Sequence, residues 1–259
     1  MTGDPLRLLV FTDLDGTLLD HETYDYAPAL PMLARLRDRG AVVVLASSKT
    51  GAEIAEWQDR LGLSDCPAIV ENGAALYDGT FDDRDYRRIR AVLAMLDAPF
   101  RGFGDMDAAG VAAVTGLSPE AAGKARTRAH SEPGLWLGTE AQLDGFLSAL
   151  GEQGIHARRG GRFLTLSFGG TKAAQMQALI DRLAPEVTVA LGDAPNDAEM
   201  LARADYGIVV RNDHGPGLPP LPGEETGRIL RTRAEGPAGW VEGMTALLAR
   251  PELAGAADG

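Results

Sequence analysis

One segment near the start of the sequence reads Leu8-Leu9-Val10-Phe11-Thr12-Asp13-Leu14-Asp15-Gly16. Its first four residues are continuously apolar, which is typical of a central parallel strand covered on both faces. The glycine behind the two acids allows the backbone to turn tightly. We therefore expect Asp13 and Asp15 at the carboxyl end of a buried strand, where open α/β sheets bind their ligands.

The two carboxylates at this strand end need a chemical explanation. Carboxylates this close repel each other unless a cation lies between them or one of them holds a proton. The alternative is an Asp-Gly turn that closes a β-hairpin. Leu18 and Leu19 follow without the alternation of a hairpin strand, so the pattern favours a site over a turn.

The composition indicates a globular protein with a sizeable core. The chain has 259 residues, 45% of them hydrophobic, which suits one large domain or two modest ones. Its net charge is −12, and this argues against a nucleic-acid partner and an anionic membrane surface, because both require clustered Lys and Arg. Cys66 is the only cysteine, which excludes an intrachain disulfide and a cysteine-rich zinc site.

The localisation is inferred from two absences in the sequence. Residues 1–5 lack the features of a secretory leader, and no run of about 18 apolar residues occurs. We therefore expect a cytoplasmic protein with no membrane partner. The sequence does not indicate an oligomeric state.

A second buried strand is predicted at residues 41–46, followed by Ser47-Ser48-Lys49-Thr50. An ordinary right-handed crossover would place these polar residues at the same sheet edge as the acids. The Ser47 hydroxyl can bind phosphate there, whereas Thr50 fits a helix capping box with Glu53.

A short strand at residues 68–70 ends in Glu71-Asn72-Gly73. The Asn-Gly pair between apolar runs predicts a hairpin turn. Glu71 and Asn72 at a strand end are also suited to hydrogen-bonding sugar hydroxyls. Both interpretations remain open from the residues alone.

The composition changes at about residue 81, where a charged stretch introduces a helix through Leu96. Helices are also predicted from Ser118-Pro119 and over residues 142–150, with strands at 135–137, 155–158 and 162–167. Residues 81–170 therefore form a predicted α+β lid. Within it, segments 128–133 and 158–163 place arginines beside turn residues, although single arginines are mostly exposed to solvent.

The last third of the chain supplies further candidate site residues. Thr171 is the predicted N-cap of a helix through Leu183, which places Lys172 in the first turn, where the helix dipole disfavours a cation. This unfavourable position indicates a functional lysine rather than a surface one. A buried strand at residues 187–191 then ends in Gly192-Asp193-Ala194-Pro195-Asn196-Asp197, and such oxygen-rich strand ends suit Mg²⁺.

Two elements are predicted beyond that point: a strand at residues 206–210 and a closing helix at 240–249. Between them, residues 211–227 are rich in Gly and Pro. This segment is either a mobile loop near the site or an uninvolved surface loop.

The motif Asp13-Leu14-Asp15-Gly16-Thr17-Leu18 resembles the first motif of the haloacid dehalogenase-like phosphotransferases. Ser47, Lys172 and the segment 192–197 match the second, third and fourth motifs, in that order. The resemblance implies an α/β fold: a Rossmann-like parallel-sheet core formed by residues 1–80 and 171–259, with an inserted α+β cap of the C2 type at 81–170.

The resemblance also implies roles for these residues. Asp13 would attack phosphorus to form an aspartyl-phosphate, and Asp15 would protonate the leaving alcohol and later activate water. Ser47 would bind the phosphate and Lys172 would neutralise it. The cofactor would be Mg²⁺, bound by Asp13, Asp193 and the backbone carbonyl of Asp15. Asn196 and Asp197 would not bind the metal directly but would orient water molecules and Lys172.

Four segments together resemble the mannosyl-3-phosphoglycerate phosphatase family: Ser-Glu-Pro and Gly-Gly-Arg-Phe in the lid, and Ser-Ser-Lys-Thr and Glu-Asn-Gly in the core. This implies hydrolysis of mannosyl-3-phosphoglycerate to mannosylglycerate and phosphate. Candidate substrate-binding residues are Lys49, Glu71, Asn72, Arg128, Ser131 and Arg162. Sugar phosphatases more often carry Thr-Gly-Arg where this chain has Ser-Ser-Lys, so Lys49 would replace an arginine.

Other functions remain compatible with the same motifs. The substrate is alternatively glucosyl-3-phosphoglycerate, sucrose phosphate or a hexose phosphate. A phosphosugar mutase would use the same aspartyl-phosphate. A non-enzymatic sensor of sugar phosphates is the alternative from a different class, and the intact set of motif residues argues against it.

Overall fold

The computed structural model describes residues 8–160 and 162–254. The chain divides into two compact units. The first comprises Met1–Ser47, Gln58–Ile69 and Lys172–Gly259, and the second comprises Ser48–Trp57 and Val70–Thr171. Each unit is described by itself below. The predicted functional division into residues 1–80 with 171–259 and residues 81–170 stays a prediction.

The described strands are, in chain order, β1 (Leu8–Thr12), β2 (Val42–Ala46), β3 (Ala68–Val70), β4 (Ala75–Tyr77), β5 (Phe100–Gly102), β6 (Ser131–Trp136), β7 (His156–Gly160), β8 (Phe163–Ser167), β9 (Val187–Gly192), β10 (Tyr206–Arg211) and β11 (Ile229–Glu235). The α-helices are α1 (Leu30–Asp38), α2 (Gly51–Leu61), α3 (Arg84–Leu93), α4 (Ala108–Thr115), α5 (Pro119–Ala125), α6 (Glu140–Glu152), α7 (Lys172–Leu183), α8 (Ala198–Arg203), α9 (Gly236–Leu248) and α10 (Pro251–Ala254).

The first unit is built on parallel strands in the order β11-β10-β9-β1-β2-β3. Every residue of β1 is buried, as expected for a strand covered on both faces. Among the described residues, the largest fully buried side chain is Trp240 on α9, whose indole Nε1 donates to the Thr12 hydroxyl at 3.0 Å. This bond satisfies two polar groups that would otherwise be costly to bury.

The register of these strands brings their carboxyl ends to one edge. Thr12 of β1 lies opposite Leu191 of β9, and Gly192 of β9 lies opposite Val209 of β10. On the other side, Thr12 lies opposite Leu45 of β2. The residues that follow β1, β2, β9 and β10 therefore emerge at the same edge of the sheet.

The second unit contains an antiparallel sheet in the order β5-β6-β8-β7. Helices α3 and α6 pack on one face, where Ile89, Phe146 and Leu150 meet Leu164 and Leu166 of β8. On the opposite face, α4 and α5 form a smaller cluster that packs against Phe163. The arrangement is an α+β layer structure, as the sequence predicts for the lid.

The sequence prediction for the start of β6 is wrong. Residues 135–137 were expected as a strand, but β6 begins at Ser131 and includes Pro133. Proline removes a ladder donor and normally argues against a strand. Pro133 pairs with Thr165 of β8 and lies one residue beyond the end of β5, where β6 has a neighbour on one side only. Residues 131–133, which the sequence places among turn residues, therefore form the first half of β6.

Other differences concern elements with weak sequence signals. Strands β5 and β11 and helix α4 had no specific prediction, and α9 begins at Gly236 rather than at Trp240 because Pro237 occupies its first turn. The capping box predicted for α2 is present: Thr50 N donates to Glu53 Oε2 at 2.9 Å and Glu53 N donates to Thr50 Oγ1 at 3.3 Å. No described helix is long and apolar enough to cross a bilayer.

Candidate functional site

Asp13 and Asp193 are brought together by two adjacent strands. Asp13 follows β1 directly, and its backbone N–H donates to the Leu191 carbonyl of β9 at 3.0 Å. Asp193 follows the last residue of β9. Both acids are nearly inaccessible to solvent, with 7% and 4% exposure. The site predicted at this sheet edge is therefore a buried acidic one.

Lys172 supplies the positive charge of this site. It is the first residue of α7 and is 2% exposed. Its ammonium Nζ donates to Asp13 Oδ1 at 2.6 Å and to Asp197 Oδ1 at 2.8 Å. The unfavourable position of a cation in the first helical turn is thus offset by two carboxylates.

Among the described residues, Asp13, Asp193 and Asp197 form a cluster in which one carboxylate oxygen from each lies within 4.8 Å of the others. Burial, with a contribution from neighbouring acids, raises the pKa of Asp13 to about 7 and that of Asp193 to about 6. Although burial opposes it, contact with Asp13 and Asp197 raises the pKa of Lys172, so the lysine is charged.

One ammonium among these three carboxylates leaves an excess of negative charge in a buried place. Such a site is relieved either by protons or by a bound cation. The donor atoms are all oxygens, which suits a hard divalent cation. The residues present therefore fit the metal that the sequence implies.

The third acid, Asp197, is bonded to Lys172 and to backbone N–H groups. It ends a short 3₁₀ turn, Pro195–Asp197, and is fully buried. Its Oδ2 accepts from the backbone N–H groups of Asp193 and Ala194, both at 3.2 Å. These bonds fix the carboxylate that holds Lys172. Asn196, on the same turn, is exposed.

The Asp193 carboxylate is held at both oxygens. Thr17 Oγ1 donates to Oδ1 and Asn212 Nδ2 donates to Oδ2, each at 2.6 Å. Thr17 lies inside the first motif, but neither residue was assigned a role from the sequence. The available signal for Asn212 was its place directly after β10, at the edge where the other site residues emerge.

The other core candidates lie at the same edge. Ser47 follows β2, is 1% exposed, and its backbone N–H donates to the Ile69 carbonyl at 2.9 Å. Asp15 is half-buried and forms an isolated bridge with Leu19. Gly16, directly after Asp15, has φ +79°, a left-handed backbone conformation that favours glycine. The catalytic roles of Asp15 and Ser47 stay predictions.

In the second unit, Glu71, Arg128 and Ser131 form one buried network. The Glu71 carboxylate accepts from Ser131 Oγ at 2.6 Å and from the Ala129 N–H at 2.9 Å. Arg128 Nε lies 3.2 Å from Glu71 Oε2, and Arg128 Nη2 donates to Ser131 Oγ at 2.7 Å. Three of the six residues predicted to bind substrate are therefore hydrogen-bonded or ion-paired to one another.

The remaining three candidate substrate-binding residues lie outside this network. The Lys49 carbonyl accepts from Glu71 N–H at 2.9 Å, and Asn72 has φ +60° in the turn after β3. Arg162 is exposed, its Nη2 donates to the Thr115 carbonyl at 3.4 Å, and its guanidinium lies 5.7 Å from the Phe163 ring centroid. Substrate contacts of all six candidates stay predictions.

Several solved structures resemble this chain along its length. A hypothetical protein from Geobacillus kaustophilus shares 20% identity and a TM-score of 0.66, covering 93% of this chain and 98% of its own. The sucrose-phosphatase of Synechocystis, solved with sucrose and phosphate, has 17% sequence identity and a TM-score of 0.59. The match covers 93% of this chain and 98% of the sucrose-phosphatase. The subclass IIB sugar phosphatase BT4131 has 18% sequence identity to this chain and a TM-score of 0.59. The match covers 92% of this chain and 98% of BT4131.

At these identities the likeness shows a shared fold, and the predicted α/β class with an inserted cap is confirmed. A sequence match carries the family assignment. The haloacid dehalogenase-like hydrolase family matches residues 10–91 and 160–215, more than half of the chain. These ranges include the acids, Lys172 and Asn212. The expectation of a phosphatase-type enzyme is confirmed at this level, and the protein belongs to the haloacid dehalogenase-like hydrolases.

Proposed function

We propose that this enzyme is a Mg²⁺-dependent phosphomonoesterase that acts through an aspartyl-phosphate on Asp13. The observation that carries the proposal is the bond of 2.6 Å between Asp13 Oδ1 and Lys172 Nζ, inside a buried cluster of carboxylates. A carboxylate is a competent nucleophile when it is positioned and desolvated, and a neighbouring ammonium stabilises the anion that arrives.

In the first step, an Asp13 oxygen attacks phosphorus and the bond from phosphorus to the substrate alcohol oxygen breaks. Asp15, in its neutral form, donates a proton to that departing oxygen. Lys172 stabilises the negative charge on the phosphoryl oxygens, and the Ser47 hydroxyl donates to one of them. The products of this step are the alcohol and phosphorylated Asp13.

In the second step, the Asp15 carboxylate removes a proton from water as the water oxygen attacks phosphorus. The bond between phosphorus and Asp13 breaks, which releases phosphate and restores the Asp13 carboxylate. Asp15 regains the proton that it lost in the first step. The enzyme therefore returns to its starting state.

Mg²⁺ would be held by Asp13 and Asp193, with the Asp15 backbone carbonyl as a further ligand. When bound, it supplies positive charge that lets the anionic phosphate approach an anionic nucleophile. Asp197 would orient Lys172, and Asn196 would orient waters around the metal.

The proposed substrate is mannosyl-3-phosphoglycerate, and the products are mannosylglycerate and phosphate, as in mannosylglycerate biosynthesis. Four short segments of the sequence support this choice, together with the exposed guanidinium of Arg162, which can bind a carboxylate through two parallel bonds. Glu71, Arg128 and Ser131 stay candidate substrate-binding residues, and their bonds to one another support a fixed arrangement of these side chains. We place the enzyme in the cytoplasm.

The test is phosphate release with Mg²⁺ from a panel of mannosyl-3-phosphoglycerate, glucosyl-3-phosphoglycerate, 3-phosphoglycerate, sucrose phosphate and hexose phosphates, compared by kcat/KM. The proposal predicts a strong preference for the mannosyl compound. Activity spread evenly over the hexose phosphates would retain the chemistry and overturn the substrate.

A phosphosugar mutase is the second candidate, because Asp13 could pass its phosphoryl group to a sugar hydroxyl instead of water. Interconversion of phosphate isomers without phosphate release identifies that activity. A sensor protein predicts binding of the same panel with no turnover. A phosphate assay and chromatography of the sugars distinguish hydrolysis from isomer interconversion, and calorimetric titration of the same compounds measures binding without turnover.

A further inference from the structure

Asn212 lies outside the four motifs, in the Gly- and Pro-rich segment whose role the sequence left open. Its Nδ2 donates to Asp193 Oδ2 at 2.6 Å. We propose that Asn212 is a positioning residue that holds the Asp193 carboxylate in the orientation needed to bind the metal. The inference rests on the proposed function, because it concerns the metal that the phosphatase would use.

The direction of the Asn212 amide is fixed by its own loop. Its Oδ1 accepts from the backbone N–H of His214 at 2.9 Å. An oxygen is the only amide atom that can accept this bond, so the NH₂ group must be the one that faces Asp193. Asn212 is therefore a donor to Asp193, which suits an ionised carboxylate.

The backbone on both sides of Asn212 is anchored to β11. Arg211 N–H donates to Thr232 Oγ1 at 3.0 Å, and Asp213 N–H donates to Glu235 Oε1 at 3.0 Å. The amide is thus presented from a fixed segment, although the neighbouring residues are rich in Gly and Pro. Fixed donors lose little entropy when they hold a partner.

The first motif leaves room for this contact. A Cβ atom at Gly16 would lie 2.7 Å from Asn212 Nδ2 and 3.0 Å from Asp193 Oδ2, and Gly16 has φ +79°. Glycine at this position therefore satisfies the turn and also admits the amide beside the carboxylate.

Without Asn212, the Asp193 side chain would have space to turn away. A cavity of about 210 Å³ adjoins it, lined by Asn212, Leu218 and Thr232 among others. Thr17 would still hold Oδ1, but Oδ2 would lose its partner. Groups that orient metal ligands typically contribute about 10- to 100-fold to metal affinity.

The experiment is calorimetric titration of Mg²⁺ into the metal-stripped full-length protein. Asn212→Ala should bind Mg²⁺ about 10- to 100-fold more weakly than the wild type. Thr226→Ala is the matched control, since Thr226 is exposed in the same loop and the change also leaves the net charge unaltered. This control should bind Mg²⁺ as the wild type does.

Circular dichroism and urea unfolding check that each variant is folded. If Asn212→Ala does not fold, Asn212→Ser takes its place, with the same expected loss, because the shorter hydroxyl cannot reach Asp193 from the same backbone position. Wild-type affinity in the folded variant overturns the inference while leaving the proposed function intact. Failure of the wild type itself to bind Mg²⁺ overturns both.

Discussion

Lys172 Nζ lies 2.6 Å from Asp13 Oδ1, although the two residues are 159 positions apart in the chain. The lysine is also bonded to Asp197, so one ammonium holds two buried carboxylates. Removing one partner from a buried ion pair leaves a charge that neither water nor protein satisfies. We infer that Lys172 contributes to stability and, under the proposed mechanism, to the chemistry.

We therefore expect Lys172→Met to lower kcat by about 100- to 1,000-fold, as the loss of one preorganised donor does in other enzymes. We also expect the free energy of unfolding to fall by about 3–5 kcal/mol. Steady-state kinetics and urea unfolding measure the two effects. Lys124→Met is the control, because Lys124 pairs with Glu56 and Glu120 at the surface and should change neither quantity appreciably. Full activity in Lys172→Met would contradict its assigned role.

The buried carboxylate cluster predicts dependence on a divalent cation. Chelation of metal should abolish phosphate release, and added Mg²⁺ should restore it. At about 100 times its dissociation constant, Mg²⁺ should raise the free energy of unfolding by about 2.7 kcal/mol. Asp193→Asn should lose most of that stabilisation. Asp205→Asn should retain it, because Asp205 accepts from Thr188 near the start of β9, whereas Asp193 follows the end of that strand. Activity that survives chelation would exclude a metal requirement.

Glu132 predicts a pH effect within the lid. Burial raises the pKa of its carboxyl, even though Gly104 N–H and Arg90 Nη1 both donate to Oε1 at 2.9 Å. Because the folded-state pKa lies above the unfolded one, the folded protein takes up the proton first as the pH falls. The cost of burying the charge is present at neutral pH and is relieved as the pH falls through the folded-state pKa.

The wild type should therefore gain unfolding free energy relative to Glu132→Gln as the pH falls from neutral to the ordinary pKa of a glutamate, about 4.3. Urea unfolding of both proteins at the two pH values gives this difference. Glu140→Gln is the control for the Glu-to-Gln substitution itself, since Glu140 is an exposed lid residue that pairs with Arg159 on the surface. If the unfolding free energy of the wild type relative to Glu132→Gln stays constant or falls with decreasing pH, burial does not raise the pKa of Glu132.

If Arg162 binds the substrate carboxylate, its removal should weaken selectivity for substrates that carry one. Arg162→Ala should reduce kcat/KM for mannosyl-3-phosphoglycerate by about 10- to 100-fold, as expected for the loss of hydrogen bonds to a charged group. Hexose phosphates, which lack the carboxylate, should be affected much less. Arg159→Ala serves as the control because Arg159 pairs with Glu140. Equal losses on both substrate types would remove the carboxylate assignment.

The sequence predicted where most of the candidate site residues lie, because these residues follow strands with strong apolar runs. The signals of β1, β2 and β9 place Asp13, Ser47 and Asp193 at one sheet edge, and the helix start of α7 identifies Lys172. Asn212 follows β10 in the same way, but the Gly- and Pro-rich residues after it suggested a loop without a defined role.

The lid was harder to predict because its contacts join segments that are distant in sequence. The bond between Glu71 and Ser131 spans 60 positions, and nothing in either segment indicates the partner. The sequence predicts a strand only at residues 135–137, whereas β6 begins at Ser131, because the pairing of Pro133 with Thr165 of β8 becomes visible only in the fold. Local patterns therefore defined the core better than the lid.

The central claim is that Asp13 carries the phosphoryl group during turnover. The most direct measurement is rapid acid quenching of the wild type during turnover of mannosyl-3-phosphoglycerate, followed by peptide mass spectrometry. We predict one added phosphoryl group on the peptide that contains Asp13, formed and lost at rates that match turnover. Asp13→Asn, which keeps the side-chain volume, should show neither the label nor phosphate release. A label on another residue, or turnover retained in Asp13→Asn, would contradict the account.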